Sequence, residues 1–554
     1  MRESSVMNGA APVDTGVTGL DALFDVFNRS DAPGLVVGVA RHGEAVYRRG
    51  FGLASVELAV ANTPFTRMRI GSTSKHFTCL ATLLLAEEGK LDLDASVRRY
   101  LPELPPLAAA PTLRQLMNHT GGYRCHLDIG FLADGMAIKP AGQALAAQLR
   151  QREANFAPGQ KLIYNNSGYH LLSIAIARAS GMTFESFLAE RIFKPLGMND
   201  TVSAPSDFEI HRGMATMHVA LPGGGYKRGM FPSTEVRGEG AMISTVDDML
   251  RWLAHLRGAK RVGSDGSWAQ MLTLARLDDG VELPYALGLM RHDYRGVEVV
   301  HHAGGVIGGA CQMLTVPAHG LDLVIMSNGA PIKAWDLSRR VVDIMLGASL
   351  PAAARDTQVA SADRTALLGR RYVSRSSGFM AAFADLEGAL ALEVLHQAPM
   401  ALHAGDGQLR TRFEESATGP FGIDLAALPA GAGAPQALRL KEGGHAEDLE
   451  LLPETPPALA EAGRELVGGY RAPELDAHAI VRFDGDELRL ALAGRFGGTS
   501  ILLQALAGDV FGWQMEGPDL PLRGALRVER KNGRVVGLRM DTMRTRHLLL
   551  EREE

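Results

Sequence analysis

Cysteine is scarce in this chain: three residues in 554, at Cys79, Cys125 and Cys311. None sits in a Cys-x-x-Cys pair and three cannot all pair with one another, which argues against a disulfide framework or a thiolate zinc site. Buried free thiols are the expectation. An excess of basic residues is also missing. Lys and Arg total 57 against 62 Asp and Glu, for a formal net charge of −5. That balance carries no electrostatic footprint for nucleic acid or for an anionic membrane surface. No apolar run approaches the roughly 20 residues that a membrane-spanning helix needs. The first 16 residues are polar and small, with no basic start followed by an apolar stretch, so they read as a flexible N-terminus and not as a signal peptide. These absences together set the expectation of a soluble cytoplasmic protein with neither nucleic-acid nor membrane partners.

What is present is length and ordinary globular composition. Apolar residues make up 46% and charged residues 21%, and the length suggests roughly three or four domains. Gly34 to Ala40 is a small apolar run, followed by Arg41-His42-Gly43-Glu44 and Ala45-Val46-Tyr47, the pattern of a β-hairpin turning at Gly43. From Ser72 to Glu88 apolar residues recur at helical spacing, with Gly89 as the stop. Helices are expected at 143–151, 168–180, 183–191 and 246–257. Strands are expected at 297–301, 310–316 and 321–327, and a last helix from Lys333 to Leu346. Strands at both ends with helices between predict one α+β domain over 17–348, whose first hairpin joins the later strands in one antiparallel sheet. An Ala-rich linker follows at 349–362. Beyond it the texture becomes short alternating runs split by Gly and Asp, at Ala391–Val394, Ala437–Leu440, Ala479–Phe483, Leu488–Leu492 and Val535–Met540, which is an all-β pattern. Three prolines between Pro453 and Pro457 place a second linker at 456–460. Two β modules result, 363–455 and 461–554. They open alike, with Leu368-Gly369 before Tyr372 and Val467-Gly468 before Tyr470.

The residues suited to chemistry lie in the first domain. Ser72-Thr73-Ser74-Lys75 puts a hydroxyl and an amine on one face of a helix start, where free N–H groups and the positive helix end face the serine. A serine needs a base to take its proton, and a lysine serves only if burial lowers its pKa. The same four residues also fit a helix N-cap with a solvated lysine. Tyr164-Asn165-Asn166 follows the turn at Pro158-Gly159 and can aim a phenol and an amide at one point; an aromatic plug with a capping Asn reads equally from the pattern. His302-Ala303-Gly304-Gly305 lies beside a strand. Its glycines let substrate backbone approach at Gly304, and the Gly305 N–H with that of Ser72 could hold an oxyanion. A surface histidine beside a Gly-rich turn is the simpler alternative there, with His301 as its surface neighbour.

In this order, the three segments resemble the family of serine β-lactamases, penicillin-recognising DD-peptidases and related esterases. Gly71 to Phe77 is similar to that family's nucleophile motif, Tyr164-Asn165-Asn166 to its Tyr-x-Asn motif, and His302-Ala303-Gly304 to its third motif in His-x-Gly form. Leu116 to Gly122, Ile192 to Met198 and Gly240 to Thr245 are similar as well, so the resemblance spans roughly 20–348. It implies a β-lactamase/DD-peptidase-like catalytic domain, with the two modules as antiparallel β-barrels. A narrower resemblance, covering nearly the whole chain, is to the bacterial D-aminopeptidases of this family. It rests on the domain order, on Cys311-Gln312 and on Gly469 to Ala477. It implies release of N-terminal D-residues from small peptides, amides or esters, and a loop of the last module, about Gly494 to Thr499, reaching the catalytic pocket. Glu239 stands where that subgroup has an Asp, Ala310 where it has an Arg and Met290 where it has an Asn.

The mechanism implied is acyl transfer. Ser72 is the nucleophile, and Lys75 with Tyr164 takes its proton. The N–H groups of Ser72 and Gly305 hold the oxyanion, and Tyr164 with His302 nearby returns a proton to the leaving group. Asn166, Gly304 and Glu239 are the expected substrate contacts, Glu239 as the carboxylate for a free ammonium. No metal or organic cofactor is needed for this chemistry, and a homodimer is the assembly considered. The pair His302-Ala303 offers no hydroxyl and a weak cation, a poor receptor for a substrate carboxylate. An esterase, or a DD-peptidase or β-lactamase, is the alternative activity.

Overall fold

The structure, a computed structural model, describes residues 17–329, 332–352, 358–405, 408–411, 423–426, 433–517 and 522–554. The expected flexible segment 1–16 lies outside the described residues. The apolar run near the start forms strand β1 (Leu35–Arg41), which turns at Gly43, φ +89°, into β2 (Glu44–Phe51). Four later strands, β3 (Met290–Tyr294), β4 (Val297–Val306), β5 (Gly309–Val316) and β6 (Leu321–Ser327), complete an antiparallel sheet ordered β3-β4-β5-β6-β1-β2. Leu35 lies opposite Ser327, so the two ends of the first domain close on each other as the sequence predicts.

Strand β1 is buried on both faces because the sheet is covered on both. Helices α1 (Val17–Phe24) and α7 (Ala334–Leu346) pack one side, where Leu20, Phe24, Val37, Leu323 and Val341 share a core. The other side carries a helical layer containing α2 (Lys75–Glu87), α5 (Asn166–Ser180) and α6 (Val246–Arg257), with Val36, Leu80, Ile176 and Trp252 in one cluster. The amphipathic periods seen in the sequence are the stripes that face this core. No single described helix is long and apolar enough to cross a membrane.

Two local expectations change. The nucleophile helix does not begin as an α-helix. A 3₁₀ turn, Gly71–Ser74, precedes α2, since Gly71 sits at φ +52° against the Gly305 main chain and ends the helical path there. The helix expected at 183–191 runs Phe184–Leu188, passes through a π-helical turn at Ala189–Phe193 and ends at Leu196. Pro195 has no N–H for the carbonyl four residues earlier, which favours such a register shift. His301 is not a surface residue. It is 2% exposed, stacks on Trp335 at 4.4 Å and lies 3.2 Å from His292.

Residues 371–451 and 468–552 each form a closed eight-stranded antiparallel barrel. Tyr372 and Tyr470 occupy the first strand of their respective barrels, and both are fully buried. The expected linkers carry some structure: a helix at Ser361–Leu367 and a short one at Leu459–Ala462. The barrel cores are shared with their neighbours. Ile129, Leu132 and Ala133 of helix α3 (His126–Asp134) and Ala147 of α4 (Gln143–Leu149) enter the core of the last barrel. Leu506, Val510 and Ala525 of the last barrel enter the core of the first.

Candidate active site

Ser72 lies in the 3₁₀ turn and Lys75 is the first residue of α2. Two glycine contacts fix this turn against the sheet. A Cβ on Gly304 would fall 1.9 Å from the Ile70 carbonyl oxygen, and one on Gly71 would meet the Gly305 carbonyl oxygen at 2.7 Å. Strand β4 therefore lies directly against the nucleophile turn. Its residues 302–306 pair with β5, while β3 pairs only with 297–301. Among the described strands, the outer edge of 302–306 stays unpaired, with Ala303 and Gly305 exposed. A Cβ on Gly305 would meet nothing within 4 Å, so its open side faces free space.

Lys75 is fully buried. Its Nζ donates to Ser72 Oγ at 3.0 Å, Asn166 Oδ1 at 2.8 Å and the Glu239 main-chain oxygen at 2.6 Å. Burial lowers its pKa to about 7; the Glu239 charge opposes that fall and the Arg544 charge adds to it. The two carbonyl-type oxygens can only accept, so they hold two N–H groups in either protonation state. The neutral amine must then turn its lone pair to Ser72. Tyr164 hydrogen-bonds Ser72, and burial raises its pKa, against the pull of that bond and of Arg544. Its ring centre is 4.9 Å from Lys75 Nζ. Ser72 and Tyr164 are half-buried, open to the cleft that Lys75 does not reach.

His302 is brought close but turned away from such a role. It is fully buried, and its Nδ1 lies 2.5 Å from the Ala303 carbonyl oxygen, its Nε2 3.1 Å from Tyr285 Oη. The carbonyl can only accept, so Nδ1 carries the proton and Nε2 takes the Tyr285 O–H. The Asn165 N–H donates to His119 Nδ1 at 3.1 Å, which leaves His119 Nε2 to donate to Tyr285 at 3.1 Å. A directed chain, Asn165 N–H to His119 to Tyr285 to His302 to the Ala303 carbonyl, thus runs under Tyr164. Burial and the Lys75 charge hold His302 down at about 3 and His119 well below its usual value, so both rings are neutral. With both ring nitrogens taken, His302 has none turned to the cleft for the proton-returning role expected of it.

Asn166, expected to contact substrate, spends its carbonyl on Lys75, and its amide lies 3.9 Å from Cys125 Sγ. Asn165 caps α5 by accepting from the N–H groups of Ser167 and Gly168. Glu239 is likewise redirected. It is 3% exposed, and its carboxylate faces His170 at 3.3 Å, His126 at 3.6 Å and the Arg237 N–H at 3.2 Å. The expected contact with a substrate ammonium is not the one this geometry makes. The loop 494–499 docks on α3: the Phe496 and Gly497 N–H groups donate to Asp134 Oδ1, and Thr499 to the Leu132 carbonyl.

A different loop of the last barrel, between strands Arg534–Asp541 and Leu548–Arg552, enters the catalytic cluster. Thr542 donates to Asp128 Oδ2 at 2.6 Å, and Thr545 Oγ1 accepts the Cys125 N–H at 3.2 Å. Asn155 bonds both the Arg544 carbonyl and the Arg546 N–H. Fully buried Arg124 pairs with Glu474 and donates to the Arg546 and His547 carbonyls. These ties set the Arg544 guanidinium over the Tyr164 ring, 5.6 Å from its centre, with a bond to Cys125. The buried Asp128 carboxylate is the main negative charge that faces it. Sequence reasoning missed Arg544, Tyr285 and His119. His119 lies inside the Leu116–Gly122 segment and takes φ +63°, a conformation uncommon without glycine, which is a mark of functional sites.

Comparison with known proteins places the fold and the family. The D-aminopeptidase of Gluconobacter oxydans (strain 621H) is 27% identical over 552 residues, covering 98% of this chain and 99% of that one. A penicillin-binding protein homologue from Pyrococcus abyssi, described as octameric, superposes with a TM-score of 0.52 at 19% identity, covering 94% of this chain and 96% of that one. The D-amino acid amidase of Ochrobactrum anthropi SV3, complexed with L-phenylalanine amide, gives 0.51 at 23% identity over 60% of this chain and 99% of its own. Residues 20–343, more than half the chain and all of the serine–lysine–tyrosine site, match the Beta-lactamase family, and the chain belongs to it.

Proposed function

We propose that the protein is a serine hydrolase acting through an acyl-enzyme, and that it is a D-aminopeptidase releasing N-terminal D-amino acids from small peptides, amides or esters. The observation that carries the hydrolase reading is the buried Lys75 amine, 3.0 Å from Ser72 Oγ with its other two N–H groups held by fixed acceptors. Ser72 attacks the carbonyl carbon while its proton passes to Lys75. The negative oxygen lies between the N–H groups of Ser72 and Gly305. Tyr164, kept protonated by burial, gives its proton to the leaving nitrogen or oxygen and regains one through Lys75. Water then attacks the acyl-enzyme by the reverse path. The specific activity rests on similarity to a D-aminopeptidase along both barrels as well as the catalytic domain.

One observation favours a second reading, an esterase for uncharged substrates. The Arg544 guanidinium stands over the Tyr164 ring, and the Glu239 carboxylate is turned into the protein. A panel of D- and L-alaninamide, N-acetyl-D-alaninamide, p-nitrophenyl acetate and nitrocefin separates the activities. Preferred cleavage of free D-alaninamide supports the aminopeptidase. Equal cleavage of free and acetylated amides, with faster ester turnover, replaces it by the esterase, and nitrocefin turnover by a β-lactamase. Self-association as a homodimer is part of the proposal, and light scattering of the full chain tests it.

A further inference from the structure

Behind Lys75, on the side away from Ser72, lies a cluster that acyl transfer leaves unused. His126 opens α3, His170 sits one turn beyond Asn166 on α5, and Glu239 lies on the loop whose carbonyl holds Lys75. We propose that His126, His170 and Glu239 form a binding site for one divalent transition-metal ion of the zinc class.

Three observations carry this assignment. One potential ligand atom from each residue lies within 4.8 Å of the others, and all three residues are buried. Glu239 Oε1 is 3.3 Å from His170 Nδ1 and 3.6 Å from His126 Nε2. Metal–ligand bonds of about 2.0–2.2 Å in a tetrahedron give ligand–ligand edges of about 3.3–3.6 Å. Two imidazoles and a carboxylate with an open position suit a borderline ion. Second, His170, 1% exposed, turns Nδ1 toward Glu239, while its other nitrogen, Nε2, is buried without a hydrogen-bond partner among the described residues, so only Nδ1 ties the ring to the protein. Third, the ligands are held from behind, as metal ligands usually are. Ser167 Oγ lies 3.3 Å from His126 Nδ1, and the Arg237 N–H donates to Glu239 Oε2 at 3.2 Å.

His126 also lines a cavity with Phe131, Lys139, Phe231 and Glu235. The ion would not touch the reacting atoms. It would fix the loop whose Glu239 carbonyl anchors Lys75. The sequence reading, with no metal, does not contain this site.

The test uses the full chain without a histidine tag, stripped with a chelator and titrated with Co²⁺. Expected are the ligand-field absorption bands of a low-coordinate Co²⁺ centre, saturating at one equivalent and abolished by one equivalent of Zn²⁺. His126→Gln and His170→Gln, each checked for a wild-type circular dichroism spectrum, should each weaken Zn²⁺ binding at least tenfold, whereas Cys79→Ser should leave it unchanged. Anomalous diffraction from Zn²⁺-soaked crystals should place the peak between the three side chains, a localisation that holds even if a variant fails to fold. Absence of Co²⁺ bands in the wild-type protein, or an anomalous peak elsewhere, would overturn the site and leave a hydrogen-bonded His–Glu–His network.

Discussion

Lys75 is buried at a cost that its three partners offset only in part, and that cost is what makes it a base. With a pKa of about 7 in place of 10.5, a substantial fraction of the amine is neutral at physiological pH. kcat/KM for an uncharged ester should therefore fall as pH drops through about 7, with a slope of one proton, and level off above it. The same shift has a stability consequence of opposite benefit. Between about pH 7 and 10.5 the unfolded chain binds this proton and the folded one does not, so stability rises with pH across that window. Lys75→Met removes that rise. Melting curves at pH 6.5 to 9.5 should show the wild type gaining on the variant as pH increases, while the variant has lost all activity; parallel curves would contradict the burial argument. Tyr285→Phe addresses the neighbouring chain. It leaves buried nitrogens of His119 and His302 without a partner, at a cost of about 1–3 kcal/mol. Denaturant unfolding should show that loss, with kcat reduced and KM for small esters little changed, because strand β4 and not a substrate contact is disturbed.

Strand β4 and the Gly71–Ser74 turn meet through main chain, so glycine is the residue that decides how they fit. Gly304→Ala places a methyl 1.9 Å from a carbonyl oxygen that cannot move away without shifting Ser72. A loss of about 2–4 kcal/mol and near-complete inactivation are expected. Gly305→Ala meets no atom within 4 Å. Its stability should stay within about 0.5 kcal/mol of wild type, but the new methyl stands on the open edge beside Ser72, so larger acyl groups should lose more kcat/KM than acetyl. Thermal melts and an ester series check the pair; equal destabilisation by both would contradict the packing described. The contrast also explains what was legible in the sequence. Ser72, Lys75 and Tyr164 were legible as a group because each belongs to a short segment at a helix start, where spacing alone fixes direction; Asn166 was found as a position, but its carbonyl serves Lys75 and not the expected substrate. The sheet was readable because β1 and β6 are built on the apolar runs 35–40 and 323–326. Glu239 and His302 were found as positions but not as orientations. Whether a side chain faces the cleft or the interior depends on partners distant in sequence: His170 for one, Tyr285 for the other.

The whole molecule holds its catalytic centre across a domain boundary. The linkers read from the sequence at 349–362 and 456–460 suggest modules that part cleanly from the catalytic domain. The shared core of Ile129, Leu132 and Ala147 with that barrel, and the fully buried Arg124–Glu474 pair, argue otherwise. Deleting 461–554 would expose the apolar face of α3 and leave Arg124 with only its longer contact to Glu153, so the truncated chain should aggregate or melt far below the full one. Glu474→Ala alone should cost about 3 kcal/mol or more. Arg544 is the part of the barrel that acts on the chemistry. No periodicity marks it, because its strand ends in a loop whose path is set by Asp128, Asn155 and Cys125 in another domain. Its positive charge disfavours protonated Lys75 and so helps to hold that pKa down. Arg544→Gln removes the charge and should move the acid limb of kcat/KM to higher pH, whereas Arg544→Lys should hold it near the wild-type position. The melting temperature of Arg544→Lys should remain close to wild type, whereas Arg544→Gln also removes the charge that faces buried Asp128 and should melt lower. A pH profile unchanged in Arg544→Gln would mean that solvent screens the pair, and that the last barrel contributes shape to the site without contributing charge.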